Sequence, residues 1–171
     1  MYTYVIIDDE PLIRRGTKKK LEPLSHLLTC CGEASDGREG LELVRQLKPD
    51  IVILDMQMPV MDGTELLPAL SEEFPSTSLI VISGFQNFDY MKQAISSKVI
   101  DYILKPFSKD EIQQTVLKTI DSLKDKEVED HHLTSMVQEK EEAFYSLDLK
   151  LLTDFLLGYT DTAHSSVSSQ K

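Results

Sequence analysis

Four places in this chain have residue types and neighbours suited to chemistry: Asp8-Asp9, Asp55, Ser83 and Lys105. Asp8, Asp55 and Ser83 directly follow short apolar runs, at Tyr4–Ile7, Ile51–Leu54 and Leu79–Ile82, and Lys105 follows the mostly apolar Ile100–Leu104. If those runs are parallel strands, their ends share one sheet edge and the polar groups converge there. Two neighbouring acids facing a third repel one another unless a cation lies between them. An all-oxygen donor set with room for water suits Mg²⁺, which takes few carboxylates and accepts phosphate oxygens. A lysine opposite offers a point charge to a phosphoryl oxygen, and a serine hydroxyl is a donor to another. No His or Cys lies nearby in sequence as an alternative nucleophile, so Asp55 is the expected acceptor of a phosphoryl group, held as an acyl phosphate. Asp55 alone reads equally well as a strand-end carboxylate satisfied by loop amides. The whole set could also be a buried salt-bridge cluster, although that leaves the loop-junction positions and Pro106 unexplained.

The elements that must position these groups follow from periodicity and punctuation. Ile51–Leu54 has the β-branched content of a strand buried on both faces. Met-Pro-Val-Met then forms a loop, and Asp62-Gly63 caps a helix running from about Gly63 to Phe74. Pro68 inside that helix predicts a kink or an irregular first half. Before it, Pro11 opens a helix through roughly residue 24, with Leu12, Ile13, Gly16, Leu21 and Leu24 as its packing stripe. Leu27–Ala34 reads as a strand, and Ser35-Asp36-Gly37 as a turn that caps a helix marked by Leu41, Leu43, Val44 and Leu47. A helix from about Asn87 to Ser97 precedes the last strand. Ser108 then caps a helix with Ile112, Val116, Ile120 and Leu123 on its buried side. Strand and helix alternate five times, which predicts an α/β fold with a doubly wound five-stranded parallel sheet.

Beyond Leu123 the composition changes. Lys124–Glu142 is charge-rich, and Leu133, Val137, Phe144, Leu147, Leu151 and Phe155 keep a helical spacing. Residues 124–157 therefore read as a helical linker, either a coiled coil or a helix folded back on the domain, and residues 158–171 as a disordered tail. The net charge of −11 argues against a nucleic-acid surface on this chain. The basic residues Arg14-Arg15 and Lys18-Lys19-Lys20 read as the solvated face of one helix. Cys30 and Cys31 are adjacent, wrongly spaced for zinc, and read as reduced residues. With no basic leader and no apolar run near the ~20 residues of a membrane span, a cytoplasmic protein is expected.

Over roughly residues 2 to 123 the chain resembles the receiver domain of bacterial two-component response regulators. Val-Ile-Ile-Asp-Asp-Glu, Leu-Asp-Met-Gln-Met-Pro-Val-Met-Asp-Gly, Val-Ile-Ser-Gly-Phe and Asp-Tyr-Ile-Leu-Lys-Pro-Phe fall in that family's order and spacing. The resemblance implies a flavodoxin-like fold, and it makes Asp55 the phosphoacceptor served by a sensor histidine kinase. It implies that Asp8 and Asp9 hold Mg²⁺, Asp9 more directly, with Asp55 and the backbone carbonyl of Gln57 completing the site. Ser83 resembles the switch hydroxyl, Tyr102 the switch aromatic and Lys105 the phosphate-contacting lysine. Tyr102 also reads as a plain half-buried strand residue. The segment from Ser83 through Phe107 looks most like regulators carrying an AraC-type helix-turn-helix output domain, which implies control of transcription and a homodimer on phosphorylation. No DNA-binding domain follows here, so output is expected to be lost by truncation or supplied by partners. Ser97-Lys98 departs from the family's small residue and Gly, which predicts a strained left-handed Lys98. The chain is expected not to be an enzyme. An aspartyl-phosphate phosphatase or phosphotransferase, the alternative, usually needs a second acid shortly after the nucleophile, where Gln57 stands. A constitutive interaction module would not need the acid pair, Ser83 and Lys105.

Overall fold

The computed structural model describes residues 1–84, 88–97, 99–126 and 128. Met1–Leu123 form one compact unit. Of the second unit, Lys124–Lys171, residues 124–126 and 128 are described and are helical, so the linker and tail expectations lie outside the described residues.

The strands are β1 (Tyr2–Ile7), β2 (Leu28–Ala34), β3 (Ile51–Asp55), β4 (Ser78–Ser83) and β5 (Asp101–Leu104). They alternate with α1 (Pro11–Leu21), α2 (Gly37–Leu47), α3 (Gly63–Glu73), α4 (Phe88–Ser96) and α5, whose residues in this unit are 109–123. All pairings are parallel and the order is β2-β1-β3-β4-β5. Every residue of β3 and β4 is buried. A continuous apolar run suits a strand covered on both faces, and the side chains sort by parity into two cores. Ile51, Ile53, Ile80, Ile82 and Ile103 join Ile112, Val116, Ile120 and Leu123 in one layer. Val52, Leu54, Leu79 and Val81 join Leu41, Val44, Leu66, Leu67 and Leu70 in the other.

Local chemistry sets the helix starts. Asp36 Oδ1 accepts from the Arg38 and Glu39 amides, both at 2.9 Å, and Glu39 reaches back to the Ser35 amide at 2.7 Å. Asp62 caps α3 through the Thr64 amide at 2.8 Å. Ser108 Oγ accepts from the Glu111 amide at 3.1 Å, capping α5. α3 stays helical through Pro68, which is exposed.

Two local readings of the first helix are corrected, its packing stripe and its end. Leu12 is 74% exposed whereas Thr17 is buried. The inward row of α1 is Ile13, Thr17 and Leu21, and Leu12 stands about 100° of helix rotation away from it. Gly16 faces open space, with no atom within 4 Å of where a Cβ would lie. α1 ends at Leu21, and the turn through Leu24 is 3-10. Cys30 and Cys31 pack against opposite core layers, so they share no ligand. Lys98 lies outside the described residues.

Candidate functional site

β1 and β3 are hydrogen-bonded neighbours, with Ile7 beside Leu54, so the residues that follow them, Asp8 and Asp55, come together. This is where the strand order reverses direction, the crevice in which open α/β sheets bind ligands. Both residues are buried, at 2% and 4% exposure. The acids are held by short backbone contacts. Asp8 Oδ1 accepts from the Glu10 amide at 2.8 Å, and Asp55 Oδ1 accepts from the Gln57 amide at 3.3 Å.

Lys105 follows β5, two strands away from β3, and its stem crosses the end of β4. Its Nζ lies 2.8 Å from Asp8 Oδ2, 2.7 Å from Asp55 Oδ2 and 3.6 Å from Glu10 Oε1. Its own amide is fixed to the Ser83 carbonyl at 2.8 Å. Burial works against the Lys105 ammonium, but the Asp55 and Asp8 carboxylates outweigh it and hold its pKa above the ordinary lysine value. Burial pushes the Asp55 carboxyl up, Lys105 pulls it back, and Asp8 adds to the rise. Two acids sharing one ammonium leave Asp55 short of full compensation.

Carboxylate oxygens of Asp8, Asp9, Glu10 and Asp55 lie within 4.8 Å of one another. Four carboxylates against the one Lys105 ammonium leave a net charge of −3 in a small volume. That donor set fits a hard divalent cation, which would remove most of the repulsion. Sequence reasoning named Asp8, Asp9 and Asp55 and missed Glu10. Its signal was present as the third of three consecutive acids. Arg14 was also missed: its Nη1 donates to the Asp8 carbonyl at 2.6 Å while its Nε reaches Glu33 at 3.3 Å.

The loop after Asp55 is tightly specified. Gly63 N–H donates to the Met56 carbonyl at 2.9 Å, and a Cβ on Gly63 would come within 2.7 Å of Met56 Cα. Val60 has φ 68°, and the Met61 amide donates across it to the Pro59 carbonyl at 2.7 Å, closing a three-residue turn. A β-branched residue in that region is strained. Gln57 is exposed, and its Nε2 donates to the Tyr90 hydroxyl of α4 at 3.3 Å.

Ser83 and Tyr102 are not in the acid cluster. Ser83 is fully buried at the end of β4, and Tyr102 is half-buried on β5. Val81 pairs with Tyr102 and Ser83 with Leu104, so Ser83 and Tyr102 are diagonal neighbours on one sheet face, toward α4.

Residues 4–117 match the family model of the response regulator receiver domain. The chain belongs to that family. It is 38% identical over 128 residues to the uncharacterized transcriptional regulatory protein YesN of Bacillus subtilis (strain 168), a match covering 75% of this chain and 35% of that protein. Against the transcriptional regulatory protein HptR of Staphylococcus aureus (strain NCTC 8325 / PS 47) it is 37% identical over 106 residues, 62% of this chain and 41% of the relative. The chain thus spans little more than a third of the length of these relatives. The REC domain of AraT, a response regulator from Geobacillus stearothermophilus, superposes with a TM-score of 0.69 at 33% identity, covering 74% of this chain and 98% of that one. These likenesses agree with the parallel five-stranded order and with a receiver of two-component systems. Among the described residues no helix is long and apolar enough to cross a membrane.

Proposed function

We propose that this receiver takes a phosphoryl group from a sensor histidine kinase onto Asp55 and passes the change to a transcriptional output. One observation carries the reading: a buried carboxylate stands at the sheet's switch point with a lysine ammonium 2.7 Å from it and three further acids around it. An Asp55 carboxylate oxygen attacks phosphorus, the P–N bond of the phosphohistidine breaks, and the imidazole leaves with the electron pair. Lys105 opposes the charge gathering on the phosphoryl oxygens, and Asp55 is presented by loop hydrogen bonds already made. Mg²⁺ would be held by Asp8, Asp9, Asp55 and the Gln57 carbonyl, with Glu10 in reach; when bound it supplies charge neutralisation between carboxylates and phosphoryl oxygens. The chain is read as a non-enzymatic acceptor of cytoplasmic type. In this reading residues 2–123 are the receiver and residues 124–157 connect it to an AraC-type output.

Ser83 and Tyr102 supply the switch in this reading. Phosphoryl oxygens draw the Ser83 hydroxyl inward and Tyr102 follows, changing the α4 surface. Support for self-association there comes from Met91, Ile95 and Ile100, exposed at 46%, 77% and 39%. They line a cavity of about 210 Å³ with Ala94, Val99 and Tyr102.

Treatment with acetyl phosphate and Mg²⁺, followed by intact-mass measurement, tests the acceptor. One phosphate is expected, and none in Asp55→Asn; equal labelling of the mutant overturns the assignment. Sedimentation of the same samples tests the switch. Phosphorylation should tighten association by a coupling of ~1–3 kcal/mol, and Ser83→Ala should lose that gain while still taking label. An undiminished gain in Ser83→Ala removes it from the switch.

A further inference from the structure

Lys20 ends a run of three lysines on α1, yet it does not simply coat the surface. Its Nζ donates to the Phe107 carbonyl at 2.6 Å and stands 3.9 Å from the centroid of the Phe107 ring. A charge-assisted bond to a carbonyl and a cation over an aromatic face both fix position more firmly than a neutral contact. Phe107 is itself buried in the core beside α5, so its ring cannot drift. The Lys20 end of the contact is held as well: its backbone carbonyl accepts from Gln113 Nε2 of α5 at 2.6 Å. Lys105 lies two residues before Phe107 and has its amide on the Ser83 carbonyl at 2.8 Å. The loop carrying the phosphate-contacting lysine is therefore pinned at one end by β4 and at the other by Lys20.

We propose that Lys20 is a positioning residue for Lys105: by clamping Phe107 it holds the Lys105 ammonium against Asp55 and so sets the rate at which Asp55 accepts a phosphoryl group. This rests on the Asp55 reading above. Lys20 is placed in the receiver's machinery although it touches neither the acids nor the phosphoryl group. Its role is to keep an ammonium 2.7 Å from Asp55 that must otherwise find that place from a long, flexible stem. Small misplacements of such a group slow a transfer far more than they weaken a fold.

The test is a double-mutant cycle on the initial rate of Asp55 labelling by acetyl phosphate at saturating Mg²⁺. Lys20→Met should slow labelling on the order of tenfold. In a Lys105→Met background the same change should add nothing, because Lys20 acts only through Lys105. If Lys20→Met does not fold, Lys20→Gln, which removes the charge and shortens the side chain by one atom, carries the same cycle. Unlabelled wild type sinks the Asp55 reading and this proposal with it. Normal wild-type labelling with an unchanged Lys20→Met rate overturns the Lys20 role alone. A further slowing in the Lys105→Met background also overturns it, because it marks a general loss of structure.

Discussion

Glu33, on edge strand β2, answers the two cations of α1 that flank the site. Lys18 and Arg14 both pair with it, and Arg14 also holds the Asp8 carbonyl. The Lys18 hydrogen bond, aided by Arg14 and opposed by burial, holds the Glu33 carboxyl below its ordinary value. A group whose pKa is depressed by folding adds stability above its unfolded pKa and loses it as pH falls through the folded one. The Glu33 side chain is 31% exposed, so solvent screens much of the gain. Glu33→Gln should therefore cost no more than ~1 kcal/mol at about pH 7, and the difference should fade as pH drops toward about 3. Urea midpoints of both proteins at the two pH values check this; a difference that grows on acidification contradicts it.

Among the elements, α1 and α3 each contain a glycine, and the two have opposite prospects. Gly16 lies inside α1 with open space where a Cβ would project. Gly16→Ala should stabilise by about 0.5–1 kcal/mol, through helix propensity and a less mobile unfolded chain. Gly63 begins α3 against Met56, where a Cβ would meet backbone at 2.7 Å. In Gly63→Ala the Met56 side chain can swing away, but the Met56 Cα and the Asp55 carbonyl cannot, so the backbone following Asp55 must move. A loss of roughly 1–3 kcal/mol is expected. Thermal melts should move in opposite directions for the two variants, and a shared sign would mean that the Gly63 contact yields cheaply.

At the scale of the whole receiver, the −3 charge cluster is a weak point built into the centre of the sheet edge. Folding brings Asp55 to the consecutive acids Asp8, Asp9 and Glu10, from which it is far removed in the unfolded chain. A cation that binds only the folded form stabilises it by mass action. At ten times its dissociation constant, Mg²⁺ should add about 1.4 kcal/mol, read as a rise in Tm of roughly 3–6 °C. Asp9→Ala should remove most of that rise. No shift in wild type, with no change on Asp9→Ala, would count against a metal site.

Much of this architecture was already present in local pattern. Short, mostly apolar runs that give way to Asp8, Asp55, Ser83 and Lys105 imply strands with polar C-terminal ends, because strand burial and strand termination are decided within a few residues. Asp36, Asp62 and Ser108 were legible for the same reason: a cap bonds amides two or three positions away. Tertiary structure decided the rest. Which row of α1 turns inward depends on the sheet it meets, so Thr17 is buried and Leu12 is not. Glu10 joins the acids because the chain after β1 folds over Asp8, a turn that the run of acids does not by itself specify. Lys20 could not be told from its neighbours Lys18 and Lys19, since its partner Phe107 lies 87 residues further on. Local spacing says how an element folds on itself; only the packed sheet brings distant side chains within reach of one another.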